Sequence, residues 1–183
     1  MTPRRQQILS TAADLFAARG FHGVSMGDIG AAVGISGPAL YKHFASKDDI
    51  LGQCLLHASD QLLAGARELL SAPDAAPEGA LEALIARHAD FALDNPALIV
   101  VQEREWGALG ADARGQVRER QLAYVDVWCD ALRPLRPDLS GPQARAAVQA
   151  AFGLLNSTPH SARIGRTTMR GLLTTMARAA LLP

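Results

Sequence analysis

Residues 25–44 read SMGDIGAAVGISGPALYKHF, and this stretch decides the fold because it contains two short helices joined by a tight turn. Ser25 followed three residues later by Asp28 is a capping-box pattern, which predicts the start of the first of these helices. Gly34 ends that helix, since glycine adopts the left-handed conformation at little cost. Ser36 then caps the next helix. A turn of this length between two helices is typical of a helix-turn-helix.

A helix-turn-helix places its second helix in the major groove of DNA, with its N-terminal residues against the bases and the backbone. The residues that this helix and its flanks would offer to DNA are Gly37, Pro38, Ala39, Tyr41, Lys42, His43 and Lys47. The tyrosine and histidine offer hydrogen bonds to phosphate, the lysines offer charge, and the proline and alanine offer apolar contact to a thymine methyl group. The pattern alone leaves a second interpretation open, because many helical corners with a glycine turn bind nothing.

Three segments around this turn resemble the DNA-binding domain of the TetR family of transcriptional regulators. They are Ile8–Phe21, Met26–Ile29 and Gly34–Lys47, and the last contains the specific core Leu-Tyr-x-His-Phe-x-x-Lys. The resemblance implies a three-helix DNA-binding domain over residues 1–47. It also implies a larger helical domain for effector binding and dimerisation over residues 48–183.

The resemblance also implies which residues contact DNA. The family's contacts fall on Ser25, Met26, Gly27, Gly37, Pro38, Ala39, Tyr41, Lys42, His43 and Lys47. Gly37 lacks the polar side chain often found at its position, so the sequence of the operator is left open. Residues 152–161 are similar to a stretch in a subgroup of actinobacterial TetR-type regulators, a likeness that names no effector.

The composition favours an all-α protein. Of the 183 residues 49% are hydrophobic and only 5% aromatic, and alanine and leucine dominate over the β-branched residues of strands. The net charge is zero, but residues 1–47 hold five basic and two acidic residues, a local charge of +3 that leaves −3 for the remainder. This polarity is a hint of a nucleic-acid-binding N-terminal region.

Several classes of protein are not expected from this sequence. No apolar run approaches the roughly 18 residues of a membrane span, and the first residues carry no apolar core of a secretory signal. Cys54 and Cys129 lie far apart, which predicts free thiols in a reducing cytoplasm and argues against a disulfide scaffold or a zinc finger. The five histidines form no metal-ligand cluster and no nucleophile–base pair, so an enzyme is not expected.

Helical spacing of apolar residues continues along the rest of the chain and predicts about nine helices in all. The third carries residues 39–44, and the fourth runs to about Leu70, before a proline-bearing loop over Ser71–Pro77. The sixth covers Ala97–Trp106, the seventh follows Gly110, and two more helices close the chain.

The resemblance places an effector pocket among the middle helices of the larger domain. The candidate pocket residues are His88, Phe91, Trp106, Tyr124, Trp128, Phe152 and Asn156. The competing interpretation is that these side chains belong to the core, with a backbone carbonyl accepting from the ring of His88. No metal ion or cofactor is expected.

A dimer interface is predicted on the last two helices, where small residues allow close approach and an apolar stripe needs cover. The candidate interface residues are Ala144, Ala147, Val148, Ala151, Met169, Leu172, Leu173 and Met176. In the TetR family these helices form a four-helix bundle from two chains.

The sequence therefore predicts a ligand-responsive transcriptional repressor. It would bind a palindromic operator in double-stranded DNA as a homodimer and would be released by a small-molecule effector. Its expected location is the cytoplasm, with no membrane partner. The alternatives are a helical adaptor, or an activator without small-molecule control.

Overall fold

The computed structural model describes residues 1–71, 76–161 and 163–182, and the regular elements in these ranges are all helices. The α-helices are α1 (Pro3–Arg19), α2 (Met26–Val33), α3 (Gly37–Tyr41), α4 (Lys47–Leu70), α5 (Pro77–Asp94), α6 (Pro96–Glu105), α7 (Ala111–Leu132), α8 (Gly141–Leu155), α9 (Thr158–Ser161) and α10 (Arg166–Leu181). A short 3-10 helix at Trp106–Ala108 follows α6. The all-α prediction is confirmed. In the parts of the chain described, no helix has the length and apolar character needed to cross a membrane.

The start of α2 is set by the predicted capping box. The backbone N–H of Asp28 donates to Ser25 Oγ at 3.1 Å, and the backbone N–H of Ser25 donates to Asp28 Oδ2 at 2.8 Å. Gly34 ends the helix with φ +71° and ψ +38°, a left-handed conformation that favours glycine. Ser36 caps α3 by accepting from the backbone N–H of Ala39 at 3.4 Å.

One helix boundary and one additional helix differ from the sequence-based expectation. The third helix was expected to carry residues 39–44, but α3 ends at Tyr41 because the chain turns there and buries Phe44 in the core. A single helical turn, α9, follows α8 and was not predicted; the Thr158 hydroxyl anchors it to the Ala92 carbonyl at 2.8 Å. In the predicted loop Ser71–Pro77, residues 72–75 lie outside the described ranges.

One compact unit comprises Met1–Ser59 together with Ala97–Glu119. Its core contains buried residues of the first four helices and also Val101, Leu109 and Val117. This unit extends past residue 47 and includes a later segment, so it is a different division from the predicted DNA-binding domain over residues 1–47, which stays a prediction. The segment after Pro96 thus enlarges the apolar core of the first four helices.

The second compact unit comprises Asp60–Pro96 together with Arg120–Pro183. Within it α10 packs on α5 and α8 around a large apolar core. Ion pairs follow the contact between α5 and α10: Arg170 Nε lies 2.8 Å from Asp90 Oδ1, and Arg178 Nε lies 2.8 Å from Glu82 Oε1. Hydrogen bonding to Arg170 lowers the pKa of Asp90. These partly exposed pairs orient α10 more than they stabilise it.

The residues predicted for the dimer interface divide between two environments. Five of them are buried in the core of their own chain: Ala144, Val148, Ala151, Met169 and Leu173. Ala147 is half-buried. Leu172 and Met176 are 47% and 46% exposed. The exposed apolar face of α10 therefore contains Leu172 and Met176. It lies beside the buried face of the same helix, which contains Met169 and Leu173.

Candidate DNA-binding surface and effector site

None of the residues predicted to contact DNA is buried. The exposed ones are Ser25, Gly27, Pro38, Tyr41 and Lys42, and the half-buried ones are Met26, Gly37, Ala39, His43 and Lys47. Tyr41 has 57% of its surface exposed at the end of α3. Leu40, its neighbour, is fully buried and anchors α3 to the core. The end of α3 thus presents the Tyr41 hydroxyl and, one residue on, the Lys42 ammonium group from a fixed position.

Two arginines at the start of α1 bind backbone carbonyls at the end of α2 and just beyond the end of α3. Arg4 Nη2 donates to the carbonyl of Val33, the last residue of α2, at 3.0 Å. Arg5 Nη1 donates to the carbonyl of His43, and its guanidinium lies 4.1 Å from the centre of the Phe44 ring. A cation at a helix C-terminus satisfies free carbonyls and complements the helix dipole. Sequence reasoning counted these arginines only as charge, because their targets lie about 30 to 40 residues away.

The loop between α1 and α2 is held from both sides. Lys47 Nζ donates to the carbonyls of Phe21 and Val24, both at 2.8 Å. Glu105, at the end of α6, accepts from the backbone N–H of Phe21 at 3.0 Å. Two of the three ammonium hydrogens of Lys47 are therefore engaged with the protein itself. Glu105 was not among the residues that the sequence pattern indicated.

Four of the predicted pocket residues meet in the second unit as a ring cluster. His88, which is 2% exposed, stacks on Tyr124 with a ring separation of 5.8 Å and on Phe152 at 4.8 Å. Trp128 packs edge-on against these rings, with angles of 71° to 89°. Asn156 joins them by a hydrogen bond. We call these five residues the His88 cluster.

The hydrogen bonds of His88 fix its tautomer. Its Nε2 lies 3.0 Å from Asn156 Oδ1, which only accepts, so Nε2 carries the hydrogen. Its Nδ1, 3.0 Å from Tyr124 Oη, then accepts from the tyrosine hydroxyl. Burial lowers the pKa of His88 to about 4, although the bond to Asn156 opposes this shift. Burial likewise raises the pKa of Tyr124. Tyr124, His88 and Asn156 thus form an uncharged chain of hydrogen bonds. Side chains rather than a backbone carbonyl satisfy the imidazole.

One donor in the cluster remains free. Trp128 is fully buried, and its Nε1–H makes no hydrogen bond within the described part of the chain. The Trp128 indole lowers the pKa of Tyr124 against the larger effect of burial, but its Nε1–H does not reach hydrogen-bond geometry with an acceptor in the described residues. Gln121, one turn before Tyr124 on α7, also has a buried amide nitrogen without a partner among the described residues. Gln121 was not among the residues predicted to line the pocket.

Two predicted pocket residues are not members of the cluster. Trp106 packs against the core of the first compact unit. Phe91 is half-buried on α5, and its ring makes none of the contacts that define the cluster. Helical periodicity in the sequence could not distinguish Trp106 and Phe91 from the members of the cluster. It predicts which face of a helix a side chain lies on, but not which side chains of other helices pack against it.

Comparison with known proteins connects both regions to one family. The family model described as bacterial regulatory proteins, tetR family, matches residues 8–54. A second model, tetracyclin repressor-like, C-terminal domain, matches residues 74–160. Together the two models cover well over half of the chain.

Similar proteins agree with these matches. The HTH-type transcriptional repressor KstR2 of Mycobacterium tuberculosis is 29% identical over 143 residues, which is 74% of this chain and 71% of KstR2. The HTH-type transcriptional activator FasR of Mycolicibacterium smegmatis is 29% identical over 161 residues, which is 87% of this chain and 71% of FasR.

The fold is shared with solved structures as well. A TetR-family transcriptional regulator from Bordetella parapertussis superposes with a TM-score of 0.86 at 26% identity, covering 99% of this chain and 95% of that one. The ketosteroid transcriptional regulator KstR2 superposes with a TM-score of 0.82 at 24% identity, covering 99% and 94%. From its paired family models, its relatives and its fold, the chain belongs to the tetR family of bacterial regulatory proteins and is a transcriptional regulator.

Proposed function

We propose that this regulator is a repressor that binds a palindromic DNA operator as a homodimer and is released by a small-molecule effector. The observation that carries the proposal is that one compact unit exposes a helix-turn-helix while the other buries the uncharged, hydrogen-bonded His88 cluster. Such a protein acts in the cytoplasm, where the genomic DNA of a bacterium lies.

The DNA-binding part of the proposal draws on α3 and its supports. Tyr41 and Lys42 project from α3 into solvent, where a hydroxyl and an ammonium group can meet phosphate. Arg4 and Arg5 make bonds to the helix-turn-helix that fix the orientation of both helices before DNA arrives. Preorganisation of this kind lowers the entropic cost of binding.

The effector part draws on the His88 cluster. A buried histidine whose two nitrogens bind a tyrosine and an asparagine is an unusual way to fill a helical core, where aliphatic side chains pack at lower cost. The relative KstR2 is described as a ketosteroid regulator, which favours an apolar effector for this chain too. An effector changes operator binding only by its difference in affinity between the two states.

The dimer part draws on exposed apolar surface of the last long helix. Leu172 and Met176 lie in solvent on α10, one turn apart, while Gly171 and Ala179 beside them are small and exposed. On α8 the exposed face includes Ala150. A second copy of the chain would cover this face and would place two helix-turn-helix units on a two-fold operator.

Selection of bound duplexes from a random DNA pool tests the proposal. We expect one enriched palindrome whose half-sites are about 34–36 Å apart, or a multiple of that spacing. Lys42→Ala should weaken binding to it, whereas Arg163→Ala, which removes an exposed arginine in the other unit, should not. Mass spectrometry of the denatured protein should identify a co-purified small molecule that releases the DNA. Failure to enrich any sequence would contradict the proposal.

Activation is the second candidate, favoured by one observation: FasR, which matches 87% of this chain, is described as an activator. Transcription in vitro from a promoter carrying the selected site distinguishes the two. A repressor lowers the transcript level when the protein is added, and an activator raises it.

A further inference from the structure

The indole of Trp128 is the one fully buried polar group of the His88 cluster without a partner. Its side chain has no exposed surface, and its Nε1–H donates to no acceptor in the described residues. A buried donor left unpaired is costly, and most such groups in native proteins are satisfied. The Tyr124 hydroxyl donates its hydrogen to His88 and keeps lone pairs that can accept, but the indole N–H does not reach hydrogen-bond geometry with them, so it is the unpaired donor of the cluster.

The rings beside this donor form a flat stack. Those of His88, Tyr124 and Phe152 lie within 24° of parallel, with centroids 4.8 to 5.8 Å apart. Offset stacking of this kind accepts another flat apolar body. Phe152 and Asn156, both on or next to the end of α8, are the half-buried members of the cluster. A ligand would therefore reach the stack from their side.

The cluster does not suit a charged ligand. None of its five side chains carries a charge at neutral pH, since burial keeps His88 unprotonated. An ionised carboxylate in this position would lose its hydration without gaining a counter-ion. Arg87, whose charge acts on Tyr124, is exposed, and its guanidinium lies across Gly65 of α4. A neutral oxygen is the acceptor that matches the free indole.

We propose that the effector is a neutral, flat, largely apolar molecule with a carbonyl-type oxygen that accepts a hydrogen bond from Trp128 Nε1. This inference rests on the proposed function, because it names the chemistry of the effector that the His88 cluster would bind. It also extends along α7. Gln121, Tyr124 and Trp128 share one face of the helix, and the buried amide nitrogen of Gln121 is unpaired as well. Seven residues separate the two donors, roughly 10 Å along the axis, so a second oxygen at the far end of the molecule would reach Gln121.

A matched series of biphenyl probes tests the proposal on the full chain without DNA. Acetylbiphenyl carries one carbonyl, diacetylbiphenyl carries one at each end, ethylbiphenyl has a similar shape without oxygen, and biphenyl carboxylate adds a charge. The chain has two tryptophans, so labelling the indole nitrogens produces two resonances, and that of Trp106 is an internal control. We expect acetylbiphenyl to move the Trp128 indole proton downfield and to leave the Trp106 resonance in place.

Affinities then separate the hydrogen bond from apolar contact. Acetylbiphenyl should bind about threefold to tenfold more tightly than ethylbiphenyl, the range of one neutral hydrogen bond. Trp128→Phe keeps an aromatic ring and removes the N–H, so this preference should disappear. Gln121→Leu should remove only the advantage of diacetylbiphenyl over acetylbiphenyl. The carboxylate should bind most weakly.

Three results would overturn the inference: equal binding of acetylbiphenyl and ethylbiphenyl to the unaltered protein, tightest binding of the carboxylate, or an unchanged preference in Trp128→Phe. The first two need no variant, so they stand even if a substitution disturbs folding. Because these measurements use no DNA, their failure leaves the selection of an operator untouched. Failure of that selection would instead contradict the proposed function.

Discussion

Lys47 contacts Phe21 in two ways: its Nζ donates to the Phe21 carbonyl at 2.8 Å and lies 4.3 Å from the centre of the Phe21 ring. Phe21 is buried and begins the loop that leads into α2. A charged hydrogen bond and a cation–π contact to the same residue fix the path of the chain at this point. Lys47 therefore positions the helix-turn-helix from the first turn of α4.

This role makes the two lysines of the chain a matched pair for mutation. Lys47→Met keeps the apolar stem and removes the donor, so we expect the free energy of unfolding to fall by about 1 to 3 kcal/mol. Operator affinity should fall with it, while its dependence on salt concentration stays the same. Urea unfolding and binding titrations at several salt concentrations measure these effects.

Lys42→Met is the control, because Lys42 is exposed on the proposed DNA surface. It should leave stability within about 0.5 kcal/mol and lower the salt slope by about one phosphate contact. If instead Lys47→Met lowered the slope by one at unchanged stability, Lys47 would be a phosphate contact and its bonds to the loop would be secondary.

Tyr41 offers a hydroxyl to the operator from the exposed end of α3. Tyr41→Phe removes that hydroxyl and keeps the ring, so operator affinity should fall about fivefold, equivalent to about 1 kcal/mol. The melting temperature should not change, since the side chain is 57% exposed. A gel-shift titration together with a thermal melt decides the matter. Full operator affinity in this variant would remove the hydroxyl from the DNA contacts.

Stability should depend on pH through His88. Its folded pKa of about 4 lies below the ordinary value of 6.5, so between these values the unfolded chain binds more protons than the folded one. The stabilising contribution is complete above about pH 6.5 and is lost as the pH falls towards 4. The loss is at most about 3 kcal/mol.

Comparison with His88→Gln isolates this effect from the titration of carboxyl groups. Urea unfolding of both proteins at several pH values between 7 and 4 should give a smaller loss of stability for the variant. Parallel curves for the two proteins would show that His88 is protonated without penalty in the folded state.

The exposed face of α10 predicts how to separate the subunits. Leu172→Glu combined with Met176→Glu adds charge to side chains in solvent, so each chain should keep its fold while the dimer dissociates to monomers. Leu173→Glu, by contrast, buries an unpaired charge in the core and should unfold the chain. Light scattering reports the mass and thermal melts report the fold. A double variant that remained dimeric would place the interface on another face.

Local patterns in the sequence determined the helices and the family. The Ser25 and Asp28 capping pair, the glycine at position 34 and the serine at position 36 each act within four residues, and each behaves in the structure as its chemistry predicts. The motif over Gly34–Lys47 carried the resemblance that the family models confirm. Such features need no tertiary contact, so they can be recognised in the chain alone.

Only the tertiary structure decided which face each helix buries and what each polar side chain binds. On α10, residues 169, 172, 173 and 176 all fit one apolar stripe, because a helical stripe is at least 100° wide. Packing against α5 and α8 turned residues 169 and 173 inward and left the other two in solvent. Lys47 and His88 likewise found partners 23 to 68 residues away. Helical periodicity relates residues on one helix, whereas these pairings depend on how separate helices pack.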